Sequence, residues 1–149
     1  MNERIDKEKY IFAALFDVVN KLQILGDRKL KDTGVTTRQW FLTLLIQQME
    51  PKAPSIGDCA RQMGTSHQNI RQITKRLEAR GFLRIQTDSK DRRTQRLYLT
   101  QSCREFWNSR NREDITFISE LFNEFTAEEI DNLFVSVEKL RNILNERKS

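Results

Sequence analysis

The hydrophobic period of this chain switches partway along it, and that switch constrains the fold more than any other feature. Ser55-x-x-Asp58 opens a short segment in which Ile56, Cys59, Ala60 and Met63 share one helical face, and Gly64 ends it. Thr65-x-x-Gln68 has the form of a second cap. Ile70, Ile73 and Leu77 follow at spacings of three and four, with Gly81 as the stop. Beyond Gly81 the period drops to two. Leu83, Ile85 and Thr87 alternate with Arg84 and Gln86, and Leu97 and Leu99 alternate with Arg96 and Tyr98. The polar stretch between them, Asp88-Ser89-Lys90-Asp91-Arg92-Arg93, reads as a hairpin tip. Two short capped helices with a glycine joint make a helix-turn-helix, and a basic hairpin directly after it gives the order of a winged helix.

The flanks are helical. Ile5, Ile11, Phe12, Leu15, Phe16, Val19, Leu22 and Ile24 form one apolar face over residues 5–25, and Gly26 is the expected stop. Thr36-x-x-Gln39 is a capping box before Trp40-Phe41-Leu42-Thr43-Leu44-Leu45-Ile46, apolar almost all round, which predicts a buried helix. Met49-Glu50-Pro51-Lys52-Ala53-Pro54 is the clearest loop, and no proline follows Pro54. Ser102-x-x-Glu105 predicts the cap of a long helix lined by Phe106, Ile115, Ile118, Leu121, Phe122 and Phe125. Thr126-x-x-Glu129 caps another, with Ile130, Leu133, Phe134, Val137, Leu140 and Leu144 inside. These terminal helices carry more apolar surface than a small winged lobe can cover, which points to a helical dimer interface built from both chain ends. The expected fold is mainly α with a small β-hairpin wing, in a single domain of 149 residues. Within it, residues 1–31 and 101–149 form the helical dimerisation region and 36–100 the winged helix-turn-helix lobe.

Charge is concentrated in that lobe. The chain carries 26 Lys+Arg against 21 Asp+Glu. Between Ala60 and Thr100 there are ten basic residues and only Glu78, Asp88 and Asp91 as acids, so the remainder is mildly acidic. A local basic patch is the footprint of a polyanion-binding surface, although a plain solvated face has the same composition. With one histidine (His67) and two cysteines (Cys59, Cys103), a structural zinc site is not expected, and no metal or cofactor is implied. The two cysteines pair only if the fold brings them together. Neither G-x-x-x-x-G-K-[ST] nor G-x-G-x-x-G occurs, and no catalytic cluster is evident, so the chain is not read as an enzyme. No apolar run approaches the roughly 20 residues that span a bilayer, and the N-terminus lacks a signal-peptide pattern, so a cytoplasmic protein without membrane partners is expected.

At Asp91-Arg92-Arg93-Thr94-Gln95-Arg96-Leu97-Tyr98-Leu99-Thr100 the sequence resembles the MarR family of winged-helix transcriptional regulators, whose wing signature is D-x-R followed by hydrophobic-x-Leu-Thr. Arg76-Leu77-Glu78-Ala79-Arg80-Gly81-Phe82-Leu83 is similar to the family's exit from the recognition helix. The resemblance covers nearly the whole chain in its order of elements. It implies a homodimer that binds a pseudo-palindromic operator on double-stranded DNA, usually as a repressor, often released by a small ligand or by oxidation.

The residues themselves agree with that implication. With Ile70, Ile73 and Leu77 inward, Gln68, Asn69, Arg71 and Gln72 are placed to read base edges, where amides pair with adenine and guanidinium with guanine. Ser66, Lys75 and Arg76 are candidates for phosphates, and His67 for a further DNA contact. Arg93 at the hairpin tip can enter a narrow minor groove, and Arg92 can reach a phosphate or remain solvated. Asp91 can orient Arg93 or brace the hairpin; a plain turn residue is its simpler reading.

Cys59 falls on the inner stripe as a core residue, while Cys103 opens a helix whose N-terminus would lower its pKa. Peroxide-sensing relatives place their cysteine near the N-terminus, and here none precedes position 59, which argues against that switch. A pocket for a small hydrophobic effector is implied between dimer helices and DNA-binding lobe. Phe12, Phe16, Trp40 and Phe41 are its candidate lining, although aromatics at helical spacing more often pack as core. The reading from another class is an interaction module whose basic face docks an acidic protein partner.

Overall fold

The computed structural model describes residues 2–147, which divide into two compact units, one up to Glu105 and one from Phe106. In chain order the elements are α1 (Glu3–Lys29), a 3-10 turn (Lys31–Thr33), α2 (Thr37–Met49), α3 (Ile56–Met63) and α4 (His67–Ala79). Then come β1 (Leu83–Thr87), β2 (Gln95–Leu99), α5 (Gln101–Leu121) and α6 (Ala127–Glu146). This is the expected helix-rich architecture with one antiparallel hairpin, Leu83 facing Leu99 and Ile85 facing Leu97.

The first unit is organised around α2. Thr36 caps it with both bonds of the capping box, and Leu42, Leu45 and Ile46 bury their side chains. Against them pack Ile56, Cys59 and Ala60 of α3, Ile70, Ile73 and Leu77 of α4, and Leu97 of β2. Each large aliphatic removed from water here contributes about 1.5–3 kcal/mol. Helix α2 is less buried than its composition predicts: Trp40 and Phe41 remain 37% and 38% exposed.

Helices α3 and α4 stop in the same way. The N–H of Thr65 reaches the Ala60 carbonyl and that of Gly64 the Arg61 carbonyl; Phe82 and Gly81 repeat this on Leu77 and Glu78. Both motifs need a left-handed residue, which Gly64 (φ 65°) and Gly81 (φ 82°) supply.

Three boundaries differ from expectation. Gly26 does not end α1, which continues to Lys29; it lies where the start of α2 crosses close by, with Thr37 over it. The cap of α4 is Ser66, not Thr65: Ser66 Oγ accepts the Asn69 N–H at 3.1 Å, and the Thr65 N–H is already used to finish α3. Helix α5 is capped by Thr100, not Ser102. Thr100 Oγ1 accepts the Cys103 N–H at 3.2 Å and donates to the Gly81 carbonyl at 2.6 Å, so it also ties the helix start to the exit of α4.

In the second unit α5 ends at Leu121, leaving Phe122 and Phe125 in the following turn with ring centroids 5.7 Å apart. Thr126 caps α6 with a complete capping box. The residues read as inside α6 are not buried in the single chain: Leu133, Phe134, Val137, Leu140 and Leu144 are all exposed. Helix α1 is similar, with no buried residue and Ile5, Ile11, Phe12, Leu15, Phe16, Val19 and Leu22 exposed.

Candidate nucleic-acid interface

The amphipathicity of α4 decides what it can present. Its inner face holds Ile70, Ile73, Thr74 and Leu77, all buried, with the Thr74 hydroxyl satisfied by the Arg71 carbonyl at 3.0 Å. The opposite stripe, Gln68, Arg71, Gln72 and Lys75, is exposed, and Arg76 continues it. Those side chains offer amide and guanidinium groups to solvent from a helix held rigidly at both ends.

Asn69 differs from its neighbours. It is half-buried, its backbone N–H is capped by Ser66, and its side-chain amide donates to Thr65 Oγ1 at 2.8 Å. Sequence reasoning placed it with the base readers, whereas the structure uses its NH2 to close the helix start. His67 is exposed at the first turn, its ring resting on Gly57 of α3.

The wing tip is set by Asp91. Its Oδ1 accepts the Arg93 backbone N–H at 3.0 Å and Nε at 3.3 Å, and its Oδ2 accepts the Thr94 hydroxyl at 3.3 Å. The Arg93 backbone bond, then its guanidinium, hold the Asp91 carboxyl below the usual carboxylate range. Arg92 and Arg93 are exposed beside it.

Sequence reasoning missed the joint beneath the wing. Arg96 contacts Asp88 at 3.1 Å, Asp58 at 3.7 Å and the Ala53 carbonyl at 3.4 Å. The only signal was its charge on the polar side of β2; its partners lie up to 43 residues away. Arg84, on the same strand pair, lies over the Tyr98 ring at 4.7 Å.

Both cysteines are fully buried and neither is in a disulfide. Burial, with the Asp58 charge adding to it, pushes the Cys59 thiol up to about 12. Phe12 and Phe16 meet edge to face at 5.3 Å and, like Trp40 and Phe41, are exposed in the single chain, so none of the four is core in it. A hollow of about 450 Å³ lies between the end of α2, the Pro51–Pro54 loop, β2 and Arg104, which pairs with Glu50; none of those four aromatics lines it. Among the described residues no cluster of His, Cys, Asp or Glu is arranged to hold a metal ion, and no helix is long and apolar enough to cross a membrane.

Residues 33–94, from the start of the lobe to the wing tip, match the family model described as the MarR family. That match makes the winged lobe similar to the MarR family. Its curated relative BadR, a transcriptional activatory protein of Rhodopseudomonas palustris, is 29% identical over 122 residues, covering 80% of this chain and 70% of BadR. Two solved MarR-like structures share the fold. The S. aureus MepR–DNA complex superposes with a TM-score of 0.75 at 16% identity, covering 89% of this chain and 97% of MepR. Bordetella bronchiseptica BpsR, described for regulation of its DNA binding by 6-hydroxynicotinic acid, gives 0.73 at 18% identity, with 88% and 92% covered. The chain therefore shares its fold with one protein solved on DNA and another described for its DNA binding.

Proposed function

We propose that this chain is a MarR-family transcriptional regulator, a cytoplasmic homodimer that binds a pseudo-palindromic operator and represses by occluding a promoter. The observation that carries the reading is the pairing, in one lobe, of an exposed readout stripe with a pair of wing-tip arginines. Gln68, Arg71 and Gln72 read base edges in the major groove; Ser66, Lys75, Arg76 and Arg92 take phosphates; His67 adds a contact. Arg93, aimed by Asp91, enters the minor groove. Asn69 contributes through its remaining carbonyl while its NH2 holds the helix start.

Dimerisation is supported by the unburied apolar faces of α1 and α6, which a lone chain would leave in water. Residues 1–31 and 101–149 are assigned that task and 36–100 the binding of DNA. Two-fold symmetry then sets the recognition helices about one DNA turn apart, roughly 34 Å. A small hydrophobic effector that prefers dimers with another spacing releases the operator, and Phe12, Phe16, Trp40 and Phe41 are its proposed contacts. The precedent for ligand control is BpsR.

Selection from randomised duplex DNA near physiological salt tests the reading. Enrichment of an inverted repeat with half-sites about ten base pairs apart is expected. Salt-sensitive, sequence-blind binding by a folded protein would overturn it in favour of a basic face that docks an acidic protein. Whether the outcome is repression or activation, as BadR is named for, is read from a promoter fused to a reporter.

A further inference from the structure

Strand β2 is joined to more than its hairpin partner. Its Leu97 N–H donates to the Pro54 carbonyl at 2.9 Å, and Arg96 forms an isolated antiparallel bridge with Ser55, the residue that caps α3. The Arg96 side chain extends that joint. Nη2 donates to Asp88 Oδ2 at 3.1 Å, while Nη1 donates to the Ala53 carbonyl at 3.4 Å and lies 3.7 Å from Asp58 Oδ2. The three side chains are only 20–30% exposed: 27% for Arg96, 30% for Asp58 and 20% for Asp88.

Each carboxylate also holds a turn of its own. Asp58 Oδ2 accepts the Ser55 N–H at 2.9 Å in the capping box of α3. Asp88 Oδ1 accepts the Lys90 N–H at 3.1 Å, and the Asp88 N–H donates to the Thr94 carbonyl at 2.8 Å across the wing turn. Polar contacts thus run from the cap of α3 through Asp58, Arg96 and Asp88 to the base of the turn that carries Arg93.

We propose that Arg96, with Asp58 and Asp88, is a positioning residue for DNA binding: it fixes the wing against the helix-turn-helix so that Arg93 reaches the minor groove while α4 occupies the major groove. The inference rests on the proposed role of Arg93. A two-stranded hairpin is marginal alone, and the ladder ends at Thr87 and Gln95, so freedom at the base is amplified at the tip. The planar fork of arginine bridges two carboxylates and a carbonyl, whereas lysine offers one point charge. Asp88 also places a negative group on a wing that approaches a polyanion, which gives the test its sign.

Asp88→Asn removes that charge and keeps an acceptor for the Lys90 N–H. Charge alone makes this variant bind DNA more tightly; positioning makes it bind more weakly, by about fivefold. Arg96→Gln should weaken binding similarly. In an Arg93→Ala background each change should cost less than about twofold, because nothing remains to be positioned. The measurement is fluorescence anisotropy on a labelled duplex carrying the enriched repeat, with thermal melts confirming that each variant is folded. Wild-type or tighter binding by Asp88→Asn, beside a weakened Arg93→Ala, overturns the joint alone. So does an Arg96→Gln loss that persists in full without Arg93, which marks a direct phosphate contact or a general stabiliser. An Arg93→Ala variant with wild-type affinity overturns the wing reading itself, and this inference with it.

Discussion

The backbone N–H and the side-chain Nε of Arg93 converge on one oxygen, Asp91 Oδ1, at 3.0 and 3.3 Å. The carboxylate therefore shapes the turn and aims the guanidinium together. The Arg93 side chain is 93% exposed, so the fold gains little from it. Arg93→Ala should leave unfolding free energy within about 0.5 kcal/mol of wild type. It should weaken operator binding by about tenfold or more and lower the salt slope by about one. Arg93→Lys keeps the charge but not the fork, and intermediate affinity is expected. Titrations at several salt concentrations check all three; an Ala variant with an unaltered slope would remove Arg93 from the interface.

Thr37 occupies the space beside Gly26 that a side chain there would need. Its Cγ2 and Cβ lie 3.1 and 3.2 Å from the position of an added Cβ, and its hydroxyl is nearer still. Thr37 cannot easily withdraw: its N–H donates to Asp27 Oδ1 at 2.7 Å and its hydroxyl to the Gln23 carbonyl at 3.3 Å. Alanine normally improves a helix interior over glycine by about 1 kcal/mol. Here overpacking should win, and Gly26→Ala should destabilise by about 1–3 kcal/mol in urea unfolding. Pairing it with Thr37→Ala should recover part of that loss. A stabilised single variant would show that the crossing has room to spare.

What was legible in the sequence was local. The capping boxes at Thr36, Ser55 and Thr126 and the period switch after Gly81 each involve residues within a few positions of one another, so spacing alone reveals them. The Thr65–Ser66 ambiguity is local too, but it is settled by how α3 ends. Once Gly64 turns left-handed and the Thr65 N–H bonds Ala60, Ser66 is the residue left extended to cap α4. Gly26, Thr100 and Arg96 were misread or overlooked because their partners Thr37, Gly81 and Asp58 lie 11, 19 and 38 residues away. The aromatic residues of α1 and α2 posed a different difficulty. Periodicity finds an apolar face but does not say whether the same chain covers it, and Phe12 and Phe16 are left open here.

Cys59 is fully buried on α3 and has its thiol pushed up to about 12, first by burial and then by Asp58. A raised thiol pKa means that the neutral form is favoured by folding. The associated stability is complete below the ordinary value of 9.0 and is lost as pH rises toward 12. Cys103 is equally inaccessible. At pH 8, neither thiol of the native protein should react with a disulfide reagent on the timescale of an exposed cysteine, whereas both should react in denaturant. Mass spectrometry of timed labelling gives the count. Rapid modification of native protein would restore a thiol as a candidate oxidation sensor.

The acid limb of stability should trace to the carboxylates around the wing. Burial alone would raise Asp58, but hydrogen bonds from Ser55 and the charges of Arg61 and Arg96 outweigh it and hold the group below its ordinary range. Asp88 is lowered chiefly by the Lys90 N–H and then by Arg96. A depressed carboxyl contributes stability that is complete above the ordinary carboxylate value and disappears as pH falls through the folded one. Urea unfolding should therefore be nearly flat from about pH 7 to pH 5 and weaken below about pH 4. Asp58→Asn should lower stability at pH 7 by about 1 kcal/mol, since it loses part of the capping box and the ionic contact with Arg96. The same variant should be less sensitive to acid, because a group that cannot be protonated has no acid limb to lose. Parallel curves for variant and wild type would place the acid sensitivity elsewhere, whereas convergence below pH 4 would assign it to this joint.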